Sequence, residues 1–309
     1  RDRSPSRGLG DVYKRQTSLT VLALFLSYSM LNVCDLSTDG CFTLGATVGA
    51  VVAIAGHPYL SIAAAMAAGI ASGFITAILQ TKMGINSLLA GIIVNTGLYS
   101  INIAVMSGSS ILNMNKTDTV FTKMAALLKG TPVARQSKLF VAIIAVAAVA
   151  VILGLFLKTR LGLAIRATGD NPDMVRSSSV NPAFTTIIGL CVANSFTALS
   201  GCLLAQSQRS VNIDIGTGMV TIALASLLIG GVFLGRKKMP LRIFGMVLGA
   251  FIFRLIYTIA LRFDMPAFML KFVSSVIVIA AIATPYFKKQ LPLLKRRIQT
   301  RSGRRKADA

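Results

Sequence analysis

Apolar runs long enough to approach a bilayer crossing recur along this 309-residue chain, and no other feature restricts its fold as strongly. They fall near 17–33, 41–55, 59–79, 85–106, 138–157, 183–205, 217–234, 241–261 and 266–283. A hydrocarbon core of about 30 Å takes roughly 20 helical residues. Inside it the backbone must satisfy its own N–H and C=O groups, which helices do within one segment. The runs therefore predict an all-α, polytopic membrane helical bundle of about eight or nine spans. Composition agrees: 54% of residues are hydrophobic, 14% are charged, and the mean hydropathy is +0.71. The runs 41–55 and 217–234 are short and contain glycine, so each reads as a broken or partial span, a form tolerated where backbone lines a cavity.

The formal charge of +22 sits in the loops and at the two ends. There, basic residues mark a cytoplasmic side or meet anionic lipid, rather than nucleic acid. After Pro285 come Lys288, Lys289, Lys295, Arg296, Arg297, Arg301, Arg304, Arg305 and Lys306, against Asp308 alone. That segment, 285–309, reads as a basic cytoplasmic tail. Counting spans back from it puts 236–238, 160–181 and Lys82 on the same side. Segment 107–137 and Thr17 then fall outside, although 107–137 carries Lys116, Lys123, Lys129 and Arg135. Residues 1–16 are polar and basic, and 11–16 resembles the in-frame translation of a sequencing-library adapter. They are set aside as a non-native segment, which lowers the net charge to +19 and leaves 17–284 as the membrane domain.

The residue stock argues against an enzyme. The single histidine, His57, sits in a Gly-His-Pro turn, and no HExxH, nucleophile elbow or pair of buried carboxylates occurs. Without a GxxxxGKS/T phosphate loop, the chain does not hydrolyse ATP by that route. Cys34, Cys41, Cys191 and Cys202 lie in or beside apolar runs without CxxC spacing and read as small packing residues. No metal ligand set or cofactor motif stands out. Any energy the chain uses must come from a partner or an ion gradient.

Few ionisable groups fall within the runs. Arg254 is the clearest, expected to snorkel or to pair with Asp264, and Lys271 lies in the last run. Asp35, Asp39 and Asp214 stand at the starts of runs. The first two either face a pathway or cap a helix starting near Cys41. Asn86, Asn95 and Asn102, with Asn194, Ser195 and Thr197, place neutral polar groups in the spans. Buried amides there bond across helices, and Gly69, Gly73, Gly91 and Gly97 permit close helix approach.

A long charged insertion between two apolar runs is 162–181, GLAIRATGDNPDMVRSSSVN, within a loop over 158–182. Pro172 suits a first helical turn, Asn171 can cap it and Asp173 favours its dipole, so a short interfacial helix is predicted over 172–180. Such a helix outside the bilayer is where a water-soluble partner can push on the spans. A weaker echo links 32–50 with 212–230: each reads Asn, then Asp, then a Gly/Thr-rich start to a short run. Inverted-topology repeats of that kind occur in transporters, and shared Gly, Thr and Ala usage is the plainer account.

The run 159–181, TRLGLAIRATGDNPDMVRSSSVN, resembles the cytoplasmic coupling loop of permeases in bacterial ABC importers of the branched-chain amino acid and ribose type. The likeness extends to 35–47, DLSTDGCFTLGAT, to 82–100, KMGINSLLAGIIVNTGLYS, and to 216–235, GTGMVTIALASLLIGGVFLG. It is nearest to the uncharacterised permeases that work with tryptophan/tyrosine-type substrate-binding lipoproteins. The resemblance implies a bacterial plasma-membrane permease subunit, with an ABC ATPase on the coupling loop and an extracytoplasmic binding protein delivering a small solute such as an amino acid. It further implies a second permease copy, with a path at the dimer interface. Ala167, Gly169, Asp170, Asn171, Pro172 and Met174 would dock the ATPase. Asp39, Asn86, Asn95 and Asn102 are the candidates for the path. The alternative is a stand-alone secondary transporter or channel.

Overall fold

In a computed structural model, the described residues are 18–115, 117–127, 137–234, 239–262 and the single positions 272, 275, 276, 279 and 283. Most of them are helical. The helices are α1 (Ser18–Met30), α2 (Thr38–Ile54), α3 (Pro58–Thr81), α4 (Ser87–Val105), α5 (Val120–Leu127) and α6 (Ser137–Phe156). They are followed by α7 (Arg160–Asp170), α8 (Pro172–Ser177), α9 (Pro182–Gln208), α10 (Met219–Leu234) and α11 (Met239–Arg262). One departure from the all-α expectation is a small antiparallel ribbon. In it β1 (Ile111–Asn113) pairs with β2 (Ser210–Asn212), Leu112 opposite Val211.

Among the described residues five helices are long and apolar enough to cross a membrane: α3, α4, α9, α11, and α10 together with its leading turn Ile213–Gly216. The bent pair α6–α7 adds a sixth, and α1 and α2 are shorter apolar helices. Eight of the nine predicted runs are thus helices in the fold. The ninth, 266–283, falls almost wholly outside the described residues. So do segment 1–16, the tail 285–309, Asp264 and Lys271.

The bundle is organised on α9, whose most apolar window is 78% buried. Small residues let its neighbours come close. A Cβ at Gly45 of α2 would collide with the backbone of Ala198, and one at Gly73 of α3 would lie 2.6 Å from the Leu190 carbonyl oxygen. Helix α9 reciprocates at Gly201, which sits against the Phe42 carbonyl. Without a hydrophobic drive between helices in lipid, this close backbone approach is what makes packing favourable. Gly69 and Gly91 act likewise, against Asn194 and Leu36, whereas Gly97 meets nothing within 4 Å among the described residues. Gly97 therefore departs from the close-approach expectation.

Contacts along α9 give the direction of each partner. Helix α1 runs antiparallel to it: the Thr20 hydroxyl donates to Ser200 Oγ at 2.9 Å, and Leu31 lies on Gly189. Helix α2 runs parallel, with Gly45 at Ala198 and Gly49 at Cys202. The chain therefore turns back on itself between α1 and α2. The turn is not helical from 32 to 35, Asn32 adopts φ +56°, and the last six residues of α1, Phe25–Met30, are wound as a π-helix. Irregular backbone at this depth requires protein around it. Asp35 supplies part of that, since its carboxylate accepts from the Ser37 N–H at 2.8 Å, the Ser37 hydroxyl at 2.6 Å and Asn194 Nδ2 at 3.0 Å.

Helix α1 is buried almost completely, from Leu19 through Leu26. The outer surfaces of α3, α4, α6 and α11 expose Ile70, Phe74, Ile93, Val151, Leu155 and Phe244, as lipid-facing sides do. Arg254, 3% exposed, is buried on α11. The cysteines are unpaired, and Cys41 and Cys202 are buried, consistent with packing roles.

Candidate functional site

Two places gather the residues singled out by the sequence. The first is the elbow formed by α6, α7 and α8. Helix α7 leaves α6 at 80°. The bend is set by Thr159, whose Oγ1 accepts the Gly162 N–H at 3.2 Å, and by Gly162, where any Cβ would strike the Phe156 carbonyl. The inner face of α7 holds the elbow to the bundle: Ile165 is fully buried, Thr168 Oγ1 lies 2.8 Å from Thr185 Oγ1, and Gly169 rests on the Met30 carbonyl at the end of α1.

Asn171 then breaks the helix. Its extended backbone (φ −158°, ψ 101°) ends α7, and its Oδ1 accepts the N–H groups of Asp173 and Met174, each at 3.1 Å, to start α8 at Pro172. The predicted cap is thus present. The helix it starts is shorter than predicted, ending at Ser177, with Ser179 at φ +61°. A whole helix, α7, precedes it where the sequence suggested loop. The reason is the amphipathic order of α7, whose few inward residues become apolar anchors only against α1 and α9.

Of the six residues assigned to ATPase docking, Ala167, Asp170, Asn171, Pro172 and Met174 are exposed, Met174 at 66%. Gly169 is not on that outer surface. It faces inward, in the elbow's contact with α1, so it positions the elbow.

The second place is a polar cleft of about 340 Å³ between the first turns of α2, the middle of α4 and the segment leading into α10. Its polar lining comprises Asp39, Thr43, Asn95, Thr96, Tyr99, Asp214 and Thr217. Asp39 joins the two short-run starts noticed in the sequence. Its Oδ2 accepts the Gly218 N–H at 2.9 Å and its Oδ1 accepts the Val220 N–H at 2.8 Å, while Gly216 packs on its backbone carbonyl. It lies in the first turn of α2 and yet caps α10, where a carboxylate stabilises both orphan N–H groups and the positive helix end.

The four path candidates separate. Asp39 and Asn95 line the cleft. Asn102, 1% exposed, donates from Nδ2 to the Gly40 carbonyl at 3.3 Å, just behind it. Asn86 is elsewhere: it is the exposed N-cap of α4, accepting the Leu88 N–H at 2.9 Å, roughly 13 Å along the helix axis from Asn95 at ~1.5 Å per residue. Thr43, Thr96, Tyr99 and Thr217 were not singled out beforehand, because no spacing rule brings α2, α4 and α10 together. A third polar cluster also escaped the sequence. Gln206 donates to Ser61 Oγ at 2.6 Å and accepts the Val120 N–H at 3.0 Å, tying α3, α5 and α9 together. His57 is an exposed turn residue before α3, as expected.

Known proteins place this arrangement. Residues 16–282 match the family described as branched-chain amino acid transport system / permease component. The chain is 31% identical over 268 residues to the tyrosine transport system permease protein of Clostridioides difficile (strain R20291), across 86% of this chain and 87% of that protein. It is 27% identical over 245 residues to the ribose import permease protein RbsC of Escherichia coli (strain K12), across 77% and 73%. The autoinducer 2 import system permease protein LsrC of Yersinia enterocolitica is 24% identical over 224 residues, across 72% and 59%. No solved structure matches the chain. A nearly complete family match on a helical bundle with an exposed elbow has one meaning: the chain belongs to the branched-chain amino acid transport system permease family, the multi-pass membrane permease components of ABC-type importers.

Proposed function

We propose that this permease imports an amino acid handed to it by an extracytoplasmic binding protein, with an ATPase gripping the α7–α8 elbow from the cytoplasm. The observation that carries the reading is the two-sidedness of the elbow. Its inner face is anchored by Ile165, Thr168 and Gly169, while Asp170, Pro172 and Met174 stand out from the bundle. A partner that moves the outer face must move α1 and α9 with it, and a partner shifts a two-state equilibrium only by its differential grip on the two states. The cleft around Asp39, Asn95 and Tyr99 offers polar groups along a path, which a second copy of the permease completes. The tyrosine transport relative supports the solute class. Basic segments at 158–182, 236–238 and 285–309 support a cytoplasmic elbow and tail.

The test is ATPase stimulation and solute uptake in vesicles holding the co-expressed permease, ATPase and binding protein. Met174→Glu and Asp170→Lys should each lower both by at least tenfold, with insertion and yield unchanged. Full uptake by the permease without an ATPase would overturn the reading in favour of a stand-alone transporter.

A further inference from the structure

A groove of about 560 Å³ opens between α6 and α11 on the outer surface of the described bundle. The two helices come close there: a Cβ on Gly154 would lie 3.4 Å from Ile243 Cδ1. The groove is walled by Ile143, Val151, Leu155, Phe244 and Phe251, each more than a third exposed. Among the described residues that line it, the polar side chains are Ser18 and Lys158. Lys158 is exposed and lines the groove where α6 runs into the elbow. From Ile143 to Lys158 the groove follows about 22 Å of helix at ~1.5 Å per residue, longer than the roughly 15 Å depth of one leaflet.

We propose that this groove holds an acyl chain of an anionic phospholipid, with the lipid phosphate set against Lys158. The occupant follows from charge. The elbow end of the groove carries the Lys158 cation and, among the described residues that line it, no carboxylate. Basic residues at the edge of a span draw anionic headgroups. The apolar walls supply the remainder, because each buried methylene favours association. This site does not depend on the ATPase-docking reading, since it needs only an embedded chain.

The chain contains no tryptophan, so Phe244→Trp places a single fluorescent reporter on the groove wall. The experiment reconstitutes this variant in vesicles containing brominated phosphatidylglycerol or brominated phosphatidylcholine, and compares how strongly each lipid quenches the reporter. Phosphatidylglycerol should associate about fivefold more tightly, the factor that one basic side chain contributes near a bilayer surface. Lys158→Gln should bring the two lipids to parity, and Lys82→Gln, which alters a basic residue at the end of α3, should not. Equal quenching by both lipids overturns the proposal, as does a preference that survives Lys158→Gln or is lost equally with Lys82→Gln. Absence of quenching by either lipid overturns it too, by showing that protein, such as a second copy, covers the groove.

Discussion

The carboxylate of Asp39 accepts the backbone N–H of Gly218 at 2.9 Å, although the two residues stand 179 positions apart. Through this bond the first turn of α2 forms the N-terminal cap of α10, and the polar cleft lies beside the junction. A bond that closes a helix end beside a polar cavity ties the shape of that cavity to the stability of the junction.

Asp39→Ala should therefore leave the Gly218 and Val220 N–H groups without their acceptor, at a cost of about 2 kcal/mol or more. The expected outcome is a lower thermal midpoint of the detergent-purified protein and loss of uptake. Asp39→Asn keeps one acceptor oxygen and should recover much of the midpoint. Equal midpoints for Asp39→Ala and the parent would contradict the cap.

The glycine contacts make opposite predictions at two positions. Gly73→Leu forces a branched side chain into the backbone at Leu190, and overpacking of that kind costs about 1–3 kcal/mol or more. Monodisperse protein on size-exclusion chromatography should be lost. Gly97→Ala adds a methyl group where nothing lies within 4 Å, and should be neutral or slightly stabilising, because alanine favours a helix by up to about 1 kcal/mol over glycine.

Replacing Asn171 by alanine should loosen α8 alone. The lost cap is worth about 1 kcal/mol, and the bundle contacts of α7 at Thr168 and Gly169 remain. Limited proteolysis should cut faster within 171–180, while the thermal midpoint of the whole chain stays within a degree or two. Protection unchanged from the parent would show that the Asn171 side chain does not hold α8.

Asn194→Ala removes the amide that meets Asp35 Oδ2 in the non-helical turn between α1 and α2. A buried carboxyl oxygen left without its donor costs roughly 1–3 kcal/mol. Cys34, half-buried in that turn, reports the change: its labelling by a membrane-permeant maleimide should quicken several-fold. An unaltered rate would mean that Asn194 does not stabilise the turn.

Local signals made several elements legible in the sequence. Pro172 after Asn171 announced a capped helix, and the cap is there, because a side chain that bonds N–H groups two and three residues on needs no tertiary help. The runs that became α3, α4, α6, α9 and α11 were visible for a similar reason: a lipid environment demands continuous apolar helix whatever packs beside it. Helix α7 was not visible. Its inward residues take their anchors from other helices, Gly169 on the Met30 carbonyl of α1 and Thr168 on Thr185 of α9. Gly97 and Gly91 looked alike in sequence and differ only in whether another backbone lies alongside.

The sequence by itself determined that the chain is a membrane bundle, which runs become helices, and where a polar elbow interrupts them, since these follow from hydrophobic length and from bonds between residues within one turn. Only the tertiary structure decided that Asp39 caps α10 instead of its own helix, that Asn95 faces the cleft while Asn86 does not, and that Gly169 looks inward. Each of those depends on which helix stands next to which, a matter settled by close packing around α9 and by the turn that sends α2 back along it.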